Sequence, residues 1–129
     1  MSDNLYDPKE HEHDFTPRDY RIYKSVFESG HLIQGHPKCG VQHGHSYHLS
    51  VFFESDLANW QDFADLKTLV DNYVQVRLDH HFLGNASAEQ ISQDIANYLS
   101  DEGYEGWLEL FETEKFGVIR HFFKHARNQ

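Results

Sequence analysis

The sequence holds a single cysteine, Cys39, in 129 residues. One cysteine cannot form a disulfide within the chain, which is typical of a protein from a reducing compartment. No apolar run approaches the roughly 18 residues that a membrane-spanning helix needs. The N-terminus is acidic and lacks the apolar stretch of a signal peptide. These absences predict a cytoplasmic protein without a membrane partner.

Basic residues are also scarce, with 11 Lys and Arg against 21 Asp and Glu, for a formal net charge of -10. Binding to nucleic-acid phosphates needs clustered Lys and Arg, and the sequence has no such cluster. This argues against a general nucleic-acid binder. Hydrophobic residues make up 39% of the chain and charged residues 25%, a composition typical of one folded domain.

Histidine, by contrast, is abundant, with 11 residues. Because histidine is the commonest metal ligand and titrates near neutral pH, a metal site deserves testing. Residues 1–19 are polar and are interpreted as a mobile N-terminal arm, and residues 20–129 as a single domain. The arm contains "HEHD", which fits a solvated tail better than a weak metal site.

The apolar pattern predicts the element order ββααββ. A strand is expected over residues 20–33, and a second from Gly44, where every other residue is apolar. Residues 62–78 follow the 3.6-residue period of a helix. The order predicts an α+β domain, with two helices on one face of a four-stranded antiparallel sheet.

The second helix has clear ends. Ser87 and Gln90 form a possible capping box, and Gly103 marks the expected stop. Residues 106–123 then read as two strands that turn near residues 114–117. The two strand pairs therefore flank the two helices along the chain.

His43 and His45 are two residues apart on the second strand, so their side chains share one face. His31, at the end of the first strand, is the natural third ligand. Three histidines would leave one position of a tetrahedral Zn²⁺ open, as in catalytic zinc sites. Two surface histidines on a sheet remain the alternative, and His36 and His48 are rival candidates, although His48 falls on the opposite face.

Cys39 lies in the polar loop "HPKCGVQ" just before these histidines. Its thiol is either a small buried side chain or a reactive base whose pKa is lowered by a neighbouring cation. Asp79 and His80 form either a carboxylate–imidazole relay or a charge cluster at a helix end. Glu112 faces inward from a predicted strand, where it binds a ligand's N–H groups or forms an edge salt bridge.

Together these motifs resemble the family of 6-pyruvoyltetrahydropterin and 6-carboxytetrahydropterin synthases. The resemblance runs through "FESGH", "KCGVQHGHSY", "DFADLK", "RLDHHFL", "SAEQIS" and "FET", in family order, from about residue 20 to residue 122. It implies the tunnelling fold, in which subunits oligomerise as trimers or hexamers and close a β-barrel. Closure removes the exposed edges of a lone sheet.

The resemblance also implies roles for individual residues. By their positions in the motifs, His31, His43 and His45 match the family's zinc ligands, and Cys39 its catalytic cysteine. The remaining matches are Asp79 and His80, which tune the thiol, and Glu112, which anchors the pterin's amino-pyrimidine edge.

Three residues separate Cys39 from His43, a spacing similar to the bacterial carboxytetrahydropterin synthases of 7-deazaguanine (queuosine-type) biosynthesis. The implied substrate is 7,8-dihydroneopterin triphosphate, and the implied products are 6-carboxy-5,6,7,8-tetrahydropterin, acetaldehyde and triphosphate. A 6-pyruvoyltetrahydropterin synthase or related side-chain lyase is the first alternative. An inactive zinc- or pterin-binding homologue is the second.

The chain departs from the family pattern in the loop before the second helix. Here the sequence is "GNASAE", shorter than usual, with Gly84 and Ser87 at positions where Asn and Thr are common. Ser87 can still cap the helix. Because the chain has a net negative charge, binding a triphosphate would need positively charged side chains near the site. The candidates are Lys24, Lys38, Lys115 and Arg120.

Overall fold

The computed structural model describes residues 19–124, so the predicted N-terminal arm lies outside the described residues except for Asp19, the first residue of a strand. The elements in chain order are β1 (Asp19–Leu32), β2 (His43–Ser55), α1 (Phe63–Tyr73), a π-helical turn (Val74–Leu78), β3 (His81–Asn85), α2 (Ala88–Asp101), β4 (Gly106–Phe111) and β5 (Gly117–Phe122). No helix in this range is long and apolar enough to cross a membrane.

The sheet has five strands in the order β3-β1-β2-β4-β5. Neighbouring strands are antiparallel except β3, which runs parallel to the end of β1. The prediction of α+β architecture is confirmed, but that of a four-stranded, purely antiparallel sheet is wrong. β3 was missed because its five residues have no strong alternation, and its pairing depends on the distant residues 29–32 of β1.

The first predicted helix changes its winding near its end. Asp62 caps α1 by accepting a hydrogen bond from the Ala64 N–H at 2.8 Å. After Tyr73 the helix widens into a π turn, and the Asp79 N–H donates to the Val74 carbonyl, 2.7 Å away. Such turns insert an extra residue into a helix, often at functional sites. Here the turn leads directly into Asp79 and His80.

The second helix has the ends expected from its sequence. The Gln90 N–H donates to Ser87 Oγ at 3.2 Å, and Gln90 Oε1 accepts from the Ser87 N–H at 2.9 Å, so the capping box is present. Gly103 follows the helix at φ 94°, a conformation that glycine adopts without strain. Ser87 therefore caps α2 even though the loop before it is short.

One hydrophobic core lies between the helices and one face of the sheet. Alternate residues of β2 point into it from Tyr47 to Phe53, matching the period of two in the sequence. Each helix contributes its apolar stripe, including Val70 from α1 and Leu99 from α2. This packing fixes which face of β1 and β2 carries the predicted histidine ligands.

Candidate functional site

The three predicted metal ligands meet at one end of the β1–β2 pair. His31 pairs directly with His43 across the two strands, and His45 lies opposite Ser29. One nitrogen from each imidazole can be chosen so that all three lie within 4.8 Å of one another. The group can therefore hold a metal ion. His48 points to the opposite, exposed side of β2, as its odd spacing from the others predicted.

Hydrogen bonds set the tautomers of two of these imidazoles. His31 Nδ1 lies 2.7 Å from the Ala86 carbonyl oxygen, and His43 Nδ1 lies 2.7 Å from that of Val41. Because a carbonyl oxygen only accepts hydrogen bonds, Nδ1 carries the proton in both rings. The lone pairs are then on Nε2, the arrangement found in metal-binding histidines whose other nitrogen donates to a carbonyl.

Two of the Nε2 atoms are buried without a hydrogen-bond partner among the described residues, those of His31 and His45. Unpartnered buried polar atoms are costly and call for an explanation. A cation bound between the imidazoles would satisfy both atoms, so the residues fit a metal site. Imidazole is a common ligand of zinc, copper, iron and nickel, and the geometry alone does not choose between them.

The surroundings of His45 keep its imidazole in the neutral form that binds a cation. Burial lowers the pKa of His45 below its ordinary value of 6.5. The negative charge of Glu112 opposes this shift, whereas His31 and His43 add to it. A lowered pKa leaves the His45 imidazole neutral at neutral pH, which is the form that binds a metal.

Glu112, the first residue after β4, reaches the same point. Its Oε1 lies 3.5 Å from His31 Nε2 and 3.8 Å from His45 Nε2. The predicted inward direction of Glu112 is therefore confirmed, and its neighbours are histidines. Burial raises the pKa of the Tyr47 hydroxyl, and the negative charge of Glu112 raises it further. The hydroxyl therefore stays protonated at neutral pH.

Cys39 lines a cavity of about 270 Å³ together with His31 and Glu112. Its side chain is half-buried in the loop between β1 and β2 rather than packed in the core. The structure thus brings the predicted thiol, one predicted histidine ligand and the predicted carboxylate to one cavity. Glu89, in the first turn of α2, also lines it and was missed in the sequence, although it is a carboxylate two residues after the predicted cap, Ser87.

Asp79 and His80 follow the π-helical turn. Asp79 Oδ1 accepts a hydrogen bond from the Glu28 N–H at 2.9 Å, and Oδ2 lies 3.0 Å from His80 Nδ1. The Glu28 N–H lowers the pKa of Asp79, and the bond to His80 lowers it further. The predicted carboxylate–imidazole pair is therefore present. His80 lines a cavity of about 420 Å³ together with His45, Glu28 and Ser46, and Cys39 does not line this cavity.

The fold and site define a small α+β domain with a three-histidine site where two long antiparallel strands meet a cysteine loop. A family model described as 6-pyruvoyl tetrahydropterin synthase matches residues 21–115. The chain belongs to this family, which confirms the resemblance seen in the sequence motifs.

Individual relatives agree with the family assignment. The 6-carboxy-5,6,7,8-tetrahydropterin synthase of Haemophilus influenzae is 32% identical over 118 residues, covering 84% of this chain and 83% of the relative. The protein of the same name from Synechocystis is 32% identical, covering 71% of this chain and 85% of the relative. The Caenorhabditis elegans 6-pyruvoyl tetrahydropterin synthase superposes with a TM-score of 0.72 at 16% identity, covering 82% of this chain and 96% of that one. This last likeness concerns the fold.

Proposed function

We propose that the protein is a zinc-dependent 6-carboxy-5,6,7,8-tetrahydropterin synthase of 7-deazaguanine biosynthesis in the cytoplasm. Its substrates would be 7,8-dihydroneopterin triphosphate and water. The main support is the three-histidine group, in a chain 32% identical over most of its length to a relative with that name. The short spacing between Cys39 and His43 also supports this branch of the family.

In this proposal His31, His43 and His45 would hold Zn²⁺ through Nε2. Three imidazole ligands leave one position open for substrate, as in other catalytic zinc sites. Bound there, zinc would supply Lewis-acid polarisation of a substrate hydroxyl. The Nδ1 hydrogen bonds of His31 and His43 to backbone carbonyls leave Nε2 of both rings free to bind such an ion.

Cys39 would move protons at the carbons of the substrate side chain. Removing a proton there lets triphosphate leave from the adjacent carbon, and returning it rearranges the side chain. Water would then add its oxygen to the first side-chain carbon, and cleavage of the bond between the first and second side-chain carbons would leave that carbon as the carboxylate and release the outer two as acetaldehyde. The position of Cys39 in the cavity that His31 also lines supports this role.

Glu112 would bind the N–H groups of the pterin's amino-pyrimidine edge. A carboxylate accepts such paired donors well, and its place in the same cavity as Cys39 would bring the reacting carbons near the thiol. Glu112 also lies close to His31. Its carboxylate would therefore either contact the substrate and the metal site together or move away from the histidines when the substrate binds.

We also propose that the protein works as a homo-oligomer, a trimer or hexamer that closes a β-barrel. Cys39 and His80 line different cavities of one subunit, so Asp79 and His80 would tune the thiol of a neighbouring copy. Two features support assembly. The sheet face opposite the helices exposes Val26 and Ile119, and among the described strands β5 is an edge strand with one partner.

The test is to incubate zinc-loaded protein with 7,8-dihydroneopterin triphosphate and identify the pterin product by mass. 6-Carboxytetrahydropterin with an equal amount of acetaldehyde is the expected result. Light scattering on the same sample gives the number of subunits. No turnover by zinc-loaded, assembled protein would contradict the proposal and favour a binding homologue, with the shortened loop between Gly84 and Ser87 as the first suspect.

The second candidate is 6-pyruvoyltetrahydropterin synthase or a related side-chain lyase. The description of the matching family model favours it. A pyruvoyl product without acetaldehyde in the same incubation would select this alternative. The two reactions share the first proton transfers and the loss of triphosphate, so the histidine and cysteine variants discussed below would impair both.

A further inference from the structure

The ring of His36 lies within the loop that carries Cys39. Its Nδ1 atom is 2.9 Å from the backbone nitrogen of Cys39 and 3.1 Å from that of Lys38, and both N–H groups donate to it. An imidazole nitrogen that accepts hydrogen bonds is unprotonated, so the ring's proton is on Nε2. One side-chain atom thus holds two consecutive backbone amides, as Asn and Asp side chains often do in tight turns.

Backbone hydrogen bonds complete the loop around this ring. The Ile33 N–H donates to the Cys39 carbonyl at 2.6 Å, and the His36 N–H donates to the Ile33 carbonyl at 3.1 Å. The Gly40 N–H donates to the His36 carbonyl at 2.9 Å. Because Ile33 follows directly after β1, these bonds tie the backbone of Cys39 to a residue two positions beyond His31.

The backbone packs tightly around Gly40, at the end of this loop. A Cβ atom built on Gly40 would lie 2.6 Å from the His36 carbonyl oxygen, so a larger residue there must push the loop open. Ile33, Cys39 and His31 all line the same cavity. The position of the thiol in that cavity therefore depends on the conformation of residues 33–40.

We propose that His36 is a positioning residue that holds the Cys39 thiol in place. Of the hydrogen-bonding groups in the loop, the imidazole of His36 is the side chain that binds the amide of Cys39 itself. Its function is separate from that of the metal-binding group, which consists of His31, His43 and His45. The consequence for turnover rests on the proposed function of the thiol, whereas the conformation of the loop does not.

Three variants test the role of the acceptor atom. His36→Asn keeps an acceptor, because Oδ1 of asparagine is as many bonds from the backbone as Nδ1 of histidine. His36→Leu keeps a side chain of similar bulk without an acceptor. His48→Leu is the matched control, since His48 is an exposed histidine on the opposite face of β2.

Hydrogen exchange of the Lys38 and Cys39 amides in the zinc-loaded protein reads out the loop directly. We expect about tenfold faster exchange at both amides in His36→Leu, with protection kept in His36→Asn and in His48→Leu. Bound zinc should stay stoichiometric in all three. Unchanged exchange in His36→Leu would overturn the proposal.

Turnover gives the second readout. A misplaced thiol should lower kcat by up to about a hundredfold in His36→Leu, with little change in KM, and His36→Asn should recover most of the rate. Gly40→Ala keeps the imidazole acceptor but crowds the His36 carbonyl, so it should also open the loop and lower kcat. An equal loss in His36→Asn and His36→Leu, with both folded, would show that the acceptor is irrelevant. If wild-type protein shows no turnover, the proposed function fails, and amide exchange still decides the role of His36.

Discussion

Glu112 Oε1 lies 3.5 Å from Nε2 of His31, a histidine whose side chain is 2% exposed. The carboxylate itself is 30% exposed and also lies 3.8 Å from His45 Nε2. A negative charge therefore stands beside two buried, unpartnered nitrogen atoms. Such a charge lowers the free energy of a cation bound between the imidazoles and offsets part of the cation's lost hydration.

The first prediction concerns this charge. Glu112→Gln keeps the shape of the side chain and removes its charge. We therefore expect the affinity for zinc to fall by more than about tenfold. Residues that contact metal ligands without binding the ion usually contribute at least this much. Competition with a chromogenic chelator measures the affinity. Glu89→Gln is the control, because Glu89 lines the same cavity from α2. Equal affinities for wild type and Glu112→Gln would show that the carboxylate does not act on the ion.

The second prediction concerns the ligands. His45→Ala removes one of three imidazoles and should abolish stoichiometric zinc binding, because two histidines do not hold a tetrahedral ion tightly. Elemental analysis of the purified protein gives the zinc content. His48→Ala should bind zinc normally, since its side chain lies on the other face of β2. Full zinc occupancy in His45→Ala would mean that the ligand assignment is wrong.

The third prediction separates the thiol from the metal. Cys39→Ala should bind zinc as wild type does and lose about 10²- to 10⁴-fold in kcat, the usual contribution of a positioned acid–base group. Zinc content and turnover are measured on the same preparation. Wild-type turnover by Cys39→Ala would remove the thiol from the mechanism, whatever the product is.

The fourth prediction is a pH dependence at Asp79. Its pKa in the folded protein is below the ordinary value of 3.8, because the Glu28 N–H and His80 hydrogen-bond the ionised carboxylate. Ionised Asp79 therefore stabilises the folded state above pH 3.8, and this contribution disappears as pH falls through the lower folded pKa. Denaturant unfolding of wild type and Asp79→Asn measures it. The difference in unfolding free energy should shrink towards low pH, and a difference independent of pH would contradict this assignment.

The fifth prediction concerns Tyr47. Its hydroxyl is fully buried and has no hydrogen-bond partner within the described part of the chain. An unsatisfied buried hydroxyl costs about 1–3 kcal/mol. Tyr47→Phe should therefore raise the free energy of unfolding of the ligand-free protein by about 1 kcal/mol or more. A loss of stability in this variant would reveal a partner for the hydroxyl, such as an ordered water.

Much of the site was predictable because its geometry is local to two strands. Side chains two residues apart on a strand share a face, so His43 and His45 had to point the same way once β2 was recognised. The same parity placed His48 on the other face. His31 followed from its position at the end of the strand expected before β2, and the observed register places it opposite His43.

For Asp79 and His80, the sequence predicted that the two residues form a pair but not where the fold places them. Residues 62–78 were expected to form one helix, but the helix changes to a π turn after Tyr73, and the apolar period does not distinguish a π turn from a turn of α-helix. The chain then enters β3, whose parallel pairing with β1 no local pattern indicates. Beyond this change, His80 lines a cavity that Cys39 does not line, and Asp79 Oδ2 lies 3.0 Å from His80 Nδ1.

The sequence by itself determined the α+β class, the helix caps, the family and the identity of the candidate ligands, because each depends on residue type and short spacing. The tertiary structure alone decided the fifth strand, the placement of His80 and Cys39 in different cavities, and the approach of Glu112 to the histidines. It also decided that His36 binds the amide of Cys39. These features depend on distances across the sheet and around loops, which the order of residues along the chain does not specify.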